Sequence, residues 1–172
     1  MSPTRSSSKS STKSPSRAEK SSSSGRPANR SRQKPRILVG AGTCGLAAGA
    51  GEILEVLGKD LEKAGLEADI VQVGCIGLCS AEPLVEIAKP GRPSVFYANL
   101  TPELTSEIIR DYLVGDDPRP DLALCTRGSE TISGIPRFED LPVFKSQMRI
   151  ALANCGNIDP TDIEDYLAAG GY

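Results

Sequence analysis

From residue 36 onward, short apolar runs alternate with spaced apolar stripes, and this pattern predicts an α/β domain. Aliphatic runs bounded by Gly, Pro and Asp predict four strands, at 36–39, 69–73, 83–87 and 94–97. Apolar residues at three- and four-residue spacing predict an amphipathic helix over 47–64 and a second helix that begins at Pro102 with Thr101 as its N-cap. The predicted order is β-α-β-β-β-α.

This order restricts how the strands can pair. The first two strands are joined through a helix and must therefore be parallel, whereas the last two are close enough in sequence to form a hairpin. We therefore expect a mixed sheet with helices packed on it.

The chain after the second helix has a weaker pattern. Residues 115–140 are rich in Asp, Pro and Gly with few apolar positions, which predicts a linker. The run Asp159-Pro160-Thr161-Asp162 repeats the order of cap and proline and predicts a short helix that ends before Gly170.

Composition separates the first 35 residues from the rest. They contain thirteen Ser, nine Lys or Arg and one acid, which predicts a disordered tail. Residues 36–172 carry eleven basic and twenty-one acidic residues. A basic tail is attracted to phosphate or anionic lipid, but this one has neither aromatic residues for base stacking nor an apolar face, so nucleic acid is not the expected partner.

The lack of a recognisable targeting signal and the cysteine content together predict the cellular compartment. No apolar run is long enough for a membrane span, and no apolar segment follows the N-terminal charges as in a secretory signal. Five cysteines, an odd number, argue against a disulfide framework. We expect a soluble, cytoplasmic protein whose thiols are free for metal binding.

Three cysteines are placed to converge. Cys75 and Cys79 lie four residues apart in a loop with two glycines, and Cys44 follows the first strand. Loops that follow two parallel strands emerge at the same edge of the sheet, so the three thiolates can meet there. Thiolates bind zinc or iron-sulfur clusters, and the lack of any His weakens zinc.

Several alternatives stay open on spacing alone. The cysteines could be small buried residues at glycine-rich turns, or thiol redox groups, although a Cys-x-x-Cys motif is missing. Gly40, Gly42 and Gly45 fit the spacing of a dinucleotide fingerprint, but no acidic residue ends the second strand. Cys125 and Cys155 have no metal-like spacing and are interpreted as bystanders.

Two segments resemble a known family. Val39-Gly40-Ala41-Gly42-Thr43-Cys44-Gly45 and Val73-Gly74-Cys75-Ile76-Gly77-Leu78-Cys79, followed by Glu82-Pro83-Leu84-Val85, resemble thioredoxin-like 2Fe-2S ferredoxin domains. The resemblance covers about residues 36–114. It implies a thioredoxin-like fold and a 2Fe-2S cluster held by Cys44, Cys75 and Cys79, with no catalytic residues.

More narrowly, the chain is similar to the ferredoxin domain at the N-terminus of flavin-bearing, NAD(P)H-oxidising subunits. These occur in NADP-reducing hydrogenases, NAD-dependent formate dehydrogenases and complex I-type dehydrogenases. Residues 141–172, which include Asn154-Cys155-Gly156-Asn157-Ile158-Asp159-Pro160, resemble the segment that leads into their flavin domain. The resemblance implies flavin/NAD(P)H-binding and other iron-sulfur subunits as partners. FMN and NAD would be bound by a partner or by a missing C-terminal part.

Two departures from the family pattern qualify this expectation. The pattern places a fourth Cys five residues before Cys44, where this chain has Val39, so the fourth ligand is unknown. The chain also ends before the flavin and dinucleotide sites, as a short subunit or a truncated gene fragment would. We expect an electron-transfer component that is not catalytic alone, with a cluster-less docking module as the alternative.

Overall fold

The computed structural model describes residues 34–172, so the tail predicted over 1–35 lies outside the described residues except for its last two. Within the described part of the chain, no helix has the length and apolar character needed to cross a bilayer.

A five-stranded mixed sheet forms the centre of the fold. Its strands, in the spatial order β2-β1-β3-β4-β5, are β1 (Arg36–Gly40), β2 (Asp69–Val73), β3 (Val85–Ala88), β4 (Ser94–Tyr97) and β5 (Ala123–Arg127). β1 and β2 are parallel, whereas every other neighbouring pair is antiparallel. The predicted mixed sheet, its parallel first pair and the β3–β4 hairpin are confirmed.

Five α-helices are present among residues 34–172. They are α1 (Thr43–Ala47), α2 (Ala50–Ala64), α3 (Pro102–Ile108), α4 (Pro142–Lys145) and α5 (Ile163–Ala168), and α3 continues as a π-helical turn over Ile109–Val114. The helix predicted from residue 47 begins at Ala50, because Gly49 has a φ of 107° and separates it from α1. The predicted cap on α3 is confirmed, since the Thr101 hydroxyl accepts a hydrogen bond from the Leu104 N–H.

Two sequence-based interpretations of the C-terminal part are corrected. β5 lies inside the segment interpreted as a linker, because β4 offers it a free edge and Cys125 buries its side chain completely. The last helix starts at Ile163 and is capped by Asp162 rather than by Asp159. The Asp159 carboxylate instead accepts hydrogen bonds from the backbone N–H and hydroxyl of Thr161 and forms a turn.

Apolar side chains cover both faces of the sheet. On one face, residues of β1, β3 and β4 pack against α2 and α3; Ile37, Val39, Ile53, Leu57, Val85, Val95 and Ile108 all belong to this core. On the other face, Phe96 and Leu84 pack against Ile76, Phe138 and Phe144. The residues after β5 therefore belong to the same folded body as the sheet.

Candidate metal centre

The loops that follow β1 and β2 are held side by side at one edge of the sheet. The Gly40 N–H donates to the Leu84 carbonyl at 2.9 Å, and the Ala41 N–H donates to the Val73 carbonyl at 2.9 Å. These bonds continue the strand pairing through Gly40, the last residue of β1, to Ala41, the residue that follows it. They place the start of α1, which carries Cys44, beside the loop that carries Cys75.

Three thiols meet between these loops. The Sγ atoms of Cys44, Cys75 and Cys79 all lie within 4.8 Å of one another, and the Cys75 and Cys79 sulfurs are 3.7 Å apart. Cys44 and Cys75 are half-buried, whereas Cys79 is exposed. The structure thus brings together the three cysteines that the sequence singled out, although their role as ligands stays a prediction.

Glycines allow the two loops to approach so closely. A Cβ atom on Gly42 would lie 3.2 Å from the Cys75 backbone nitrogen, and one on Gly45 would lie 2.0 Å from the Gly40 carbonyl oxygen. Side chains at these positions would push the loops apart. The glycine spacing that resembles a dinucleotide fingerprint is therefore explained by packing around the thiols.

Backbone and burial determine the electrostatics of Cys75. Gly77 has a φ of 91°, and its N–H points at the Cys75 sulfur at 3.3 Å. Burial, reinforced by the neighbouring Cys44 and Cys79 thiols, raises the pKa of Cys75 to about 12 in spite of this N–H. Because thiols bind a metal ion as thiolates, metal binding at this site would release protons.

Glu82 is a member of the site that the sequence analysis did not single out. Its side chain is buried, and its Oε1 atom lies 4.0 Å from the Cys44 sulfur. Oε2 accepts a hydrogen bond from the Leu84 N–H at 2.9 Å. Burial raises the pKa of the Glu82 carboxyl. In the sequence, Glu82 stands only in the run that resembles the family, three residues after Cys79, and it is not among the candidate ligands.

The remaining cysteines have different environments. Cys125 is a fully buried residue of β5 that packs in the core with Phe138 and Phe144, and burial raises the pKa of its thiol to about 12. Cys155 lies nearer the site than its sequence position suggested, because a Cβ on Gly74 would be 3.7 Å from its sulfur. Cys155 does not join the group of sulfurs within 4.8 Å of one another.

A C-terminal segment lies against the cysteine loop. A Cβ on Gly77 would be 3.3 Å from Leu152 Cδ1, and a Cβ on Gly156 would be 2.2 Å from Ile76 Cγ2. Residues 149–158 therefore form a cover over one side of this loop. We refer to residues 149–158 as the cover segment.

No protein-family model matches this chain. Similar proteins are found among solved structures and among curated sequences. Two solved structures of the thioredoxin-like [2Fe-2S] ferredoxin from Aquifex aeolicus are 19% and 18% identical, with TM-scores of 0.46 and 0.48. They match 54% and 58% of this chain and 97% of their own chains.

Among curated proteins, the NADP-reducing hydrogenase subunit HndB of Solidesulfovibrio fructosivorans is 31% identical over 86 residues. The match spans 49% of this chain and 68% of that protein. An alignment of this extent and identity establishes common descent, and the chain belongs to the family of the NADP-reducing hydrogenase subunit HndB.

Proposed function

We propose that this chain is an electron-transfer component of an NAD(P)H-dependent oxidoreductase, and that Cys44, Cys75 and Cys79 hold a 2Fe-2S cluster. The observation that carries the proposal is the convergence of three thiols from two loops within 4.8 Å. Membership of the HndB family supports a redox setting, because that relative is a subunit of a hydrogenase that reduces NADP.

The geometry of the thiols suits a tetrahedral metal. Two sulfurs bound at about 2.3 Å to one tetrahedral metal lie about 3.8 Å apart, and the Cys75 and Cys79 sulfurs are separated by 3.7 Å. Zinc would accept the same thiolates, but its usual partner ligand is His, and the sequence contains none. The donor set and the family together favour the cluster.

A bound 2Fe-2S cluster supplies one-electron chemistry. The residues of this chain hold it and adjust its surroundings. The Gly77 N–H directed at the Cys75 sulfur stabilises negative charge there, and N–H groups of this kind raise a cluster's reduction potential. Because Cys79 is exposed, its side of the site is the point where an electron would pass to a partner.

Partners follow from the hydrogenase setting. We propose that a flavin- and NAD(P)H-binding unit and other iron-sulfur subunits exchange electrons with this module. Residues 141–172 are proposed as the start of a segment leading into such a flavin unit. A cytoplasmic location stays a prediction from the cysteine content.

Substitution of individual cysteines tests the proposal. The full chain is reconstituted anaerobically with ferric iron and sulfide, desalted and assayed for both elements. We expect about two irons and two sulfides per chain. Cys75→Ser and Cys79→Ser should each lose most of this iron, because each removes a thiolate from the shared centre.

Cys125→Ala is the matched control, since it removes a buried thiol that lies outside the group of three. It should keep the full iron and sulfide content. A wild-type chain that folds but takes up neither element would contradict the proposal and would favour a cluster-less docking module.

A further inference from the structure

Glu82 is a buried carboxylate without a basic partner. Glu82 is only 7% exposed. None of the ion pairs formed among residues 34–172 involves Glu82. Its closest hydrogen bond comes from the Leu84 N–H. Ionising a buried carboxyl without a counterion is costly, so a cation bound beside the thiols would supply the positive charge that no Lys or Arg among residues 34–172 provides.

The surrounding backbone leaves room for this carboxylate and fixes it. A Cβ on Gly40 would lie 2.7 Å from Oε2 and 2.9 Å from Oε1 of Glu82, and a Cβ on Gly45 would lie 3.2 Å from Oε2. The carboxylate thus fills the space left by Gly40 at the end of β1 and by Gly45 in α1. Because the Leu84 N–H binds Oε2, the other oxygen is available to the thiols.

Oε1 is at a distance suited to sharing a metal with Cys44. It lies 4.0 Å from the Cys44 sulfur. An oxygen and a sulfur bound to the same tetrahedral metal, at about 2.0 and 2.3 Å, are about 3.5 Å apart. A small side-chain adjustment covers the difference. Val39, in contrast, is fully buried in the core on the helical face of the sheet and offers no ligand atom.

We infer that the Oε1 atom of Glu82 supplies the fourth ligand of the metal centre, beside the sulfurs of Cys44, Cys75 and Cys79. The inference rests on the proposed function, because it assigns a ligand to that same cluster. On binding, the three thiols and the Glu82 carboxyl would bind as anions and release any protons they carry to solvent, so four negative donors would surround the cluster. No electron is transferred in this step.

The first test compares two buried carboxylates in the full chain. Glu82→Gln keeps the shape of the side chain and an oxygen for the Leu84 N–H but removes the anionic ligand. After reconstitution with ferric iron and sulfide, we expect a chelator to strip iron from this variant faster, on the order of tenfold or more. Glu86→Gln is the control, because Glu86 contacts Ser94 and Arg127 instead of the thiols, and it should release iron at the wild-type rate.

A second measurement uses the wild-type chain and does not depend on how any variant folds. Mössbauer spectra of the oxidised cluster should show two inequivalent ferric sites, since one iron has an oxygen ligand. Two equivalent, all-sulfur sites would overturn the inference. So would a Glu82→Gln variant that holds iron as firmly as the wild type, or a Cys155→Ser variant that loses iron when Glu82→Gln does not.

These results separate the inference from the function beneath it. A wild-type chain with iron, sulfide and two equivalent sites rejects Glu82 as a ligand but leaves the electron carrier intact. A wild-type chain that takes up no iron or sulfide rejects the electron carrier, and the ligand assignment with it.

Discussion

At the scale of single residues, the glycines around the thiols lie where a larger side chain would contact neighbouring atoms too closely. Gly45 lies in α1, where a Cβ would meet the Gly40 carbonyl oxygen at 2.0 Å, while Gly58 lies in α2 with nothing within 4 Å of its Cβ position. Both are helical glycines. They therefore separate the effect of a close contact from the ordinary helix propensity of glycine.

We predict opposite effects of alanine at these two positions. Gly45→Ala should lower the free energy of unfolding by about 2 kcal/mol, because the contact with backbone forces α1 away from β1. Gly58→Ala should raise it by up to about 1 kcal/mol, since alanine favours an exposed helical site. Urea denaturation of both variants measures the two changes. Equal effects of the same sign would show that the Gly45 contact does not constrain the site.

At the scale of elements, strong local patterns predicted most of the sheet, while long-range contacts decided the rest. The runs that became β1, β2 and β4 carry their own apolar signal, and Thr101-Pro102 marks the start of α3. β5 has no such signal, because its five residues become a strand only by pairing with β4. Pairing of this kind cannot be read from local composition.

The candidate site likewise has one part that the sequence predicted and one part that depends on long-range contacts. Convergence of Cys44 with Cys75 and Cys79 followed from the parallel pairing of β1 and β2, which the connecting helix requires. The position of Glu82 did not follow, because it depends on how the chain after Cys79 returns beneath Gly40. The contact between Cys155 and Gly74 depends on the path of the chain between Arg127, where β5 ends, and Cys155, and local sequence does not predict that path either.

The cover segment also gives a test at the scale of elements. Gly156 has a φ of 77°, and a Cβ there would meet Ile76 Cγ2 at 2.2 Å, whereas Gly170 has a φ of 89° with nothing within 4 Å. Both positions penalise alanine by about 1 kcal/mol through the left-handed backbone. Gly156→Ala should in addition lift the cover segment from the cysteine loop.

We therefore expect a chelator to remove iron from the reconstituted Gly156→Ala variant several-fold faster than from the wild type, because the loop becomes more accessible. Gly170→Ala should release iron at the wild-type rate and serves as the control for backbone strain. Identical release rates in all three proteins would show that the cover segment does not protect the centre.

At the scale of the whole molecule, the faces of the sheet and its edge have different roles. The two faces pack the core, and the edge where β1 and β2 end carries the candidate site. The first face of the sheet packs on α2 and α3 and supplies most of the core, while the second face is covered by Phe138, Phe144 and the cysteine loop. The edge where β1 and β2 end carries the three thiols and Glu82. The pairing of β1 with β2 thereby fixes the relative positions of the two loops that carry the thiols.

The central claim is that this edge holds a one-electron centre. An EPR spectrum of the reconstituted, dithionite-reduced full chain tests it most directly. We predict a low-temperature signal that integrates to about one unpaired electron for every two irons and is absent before reduction. A folded protein whose iron gives no such signal on reduction, or which binds zinc in place of iron and sulfide, would contradict the account.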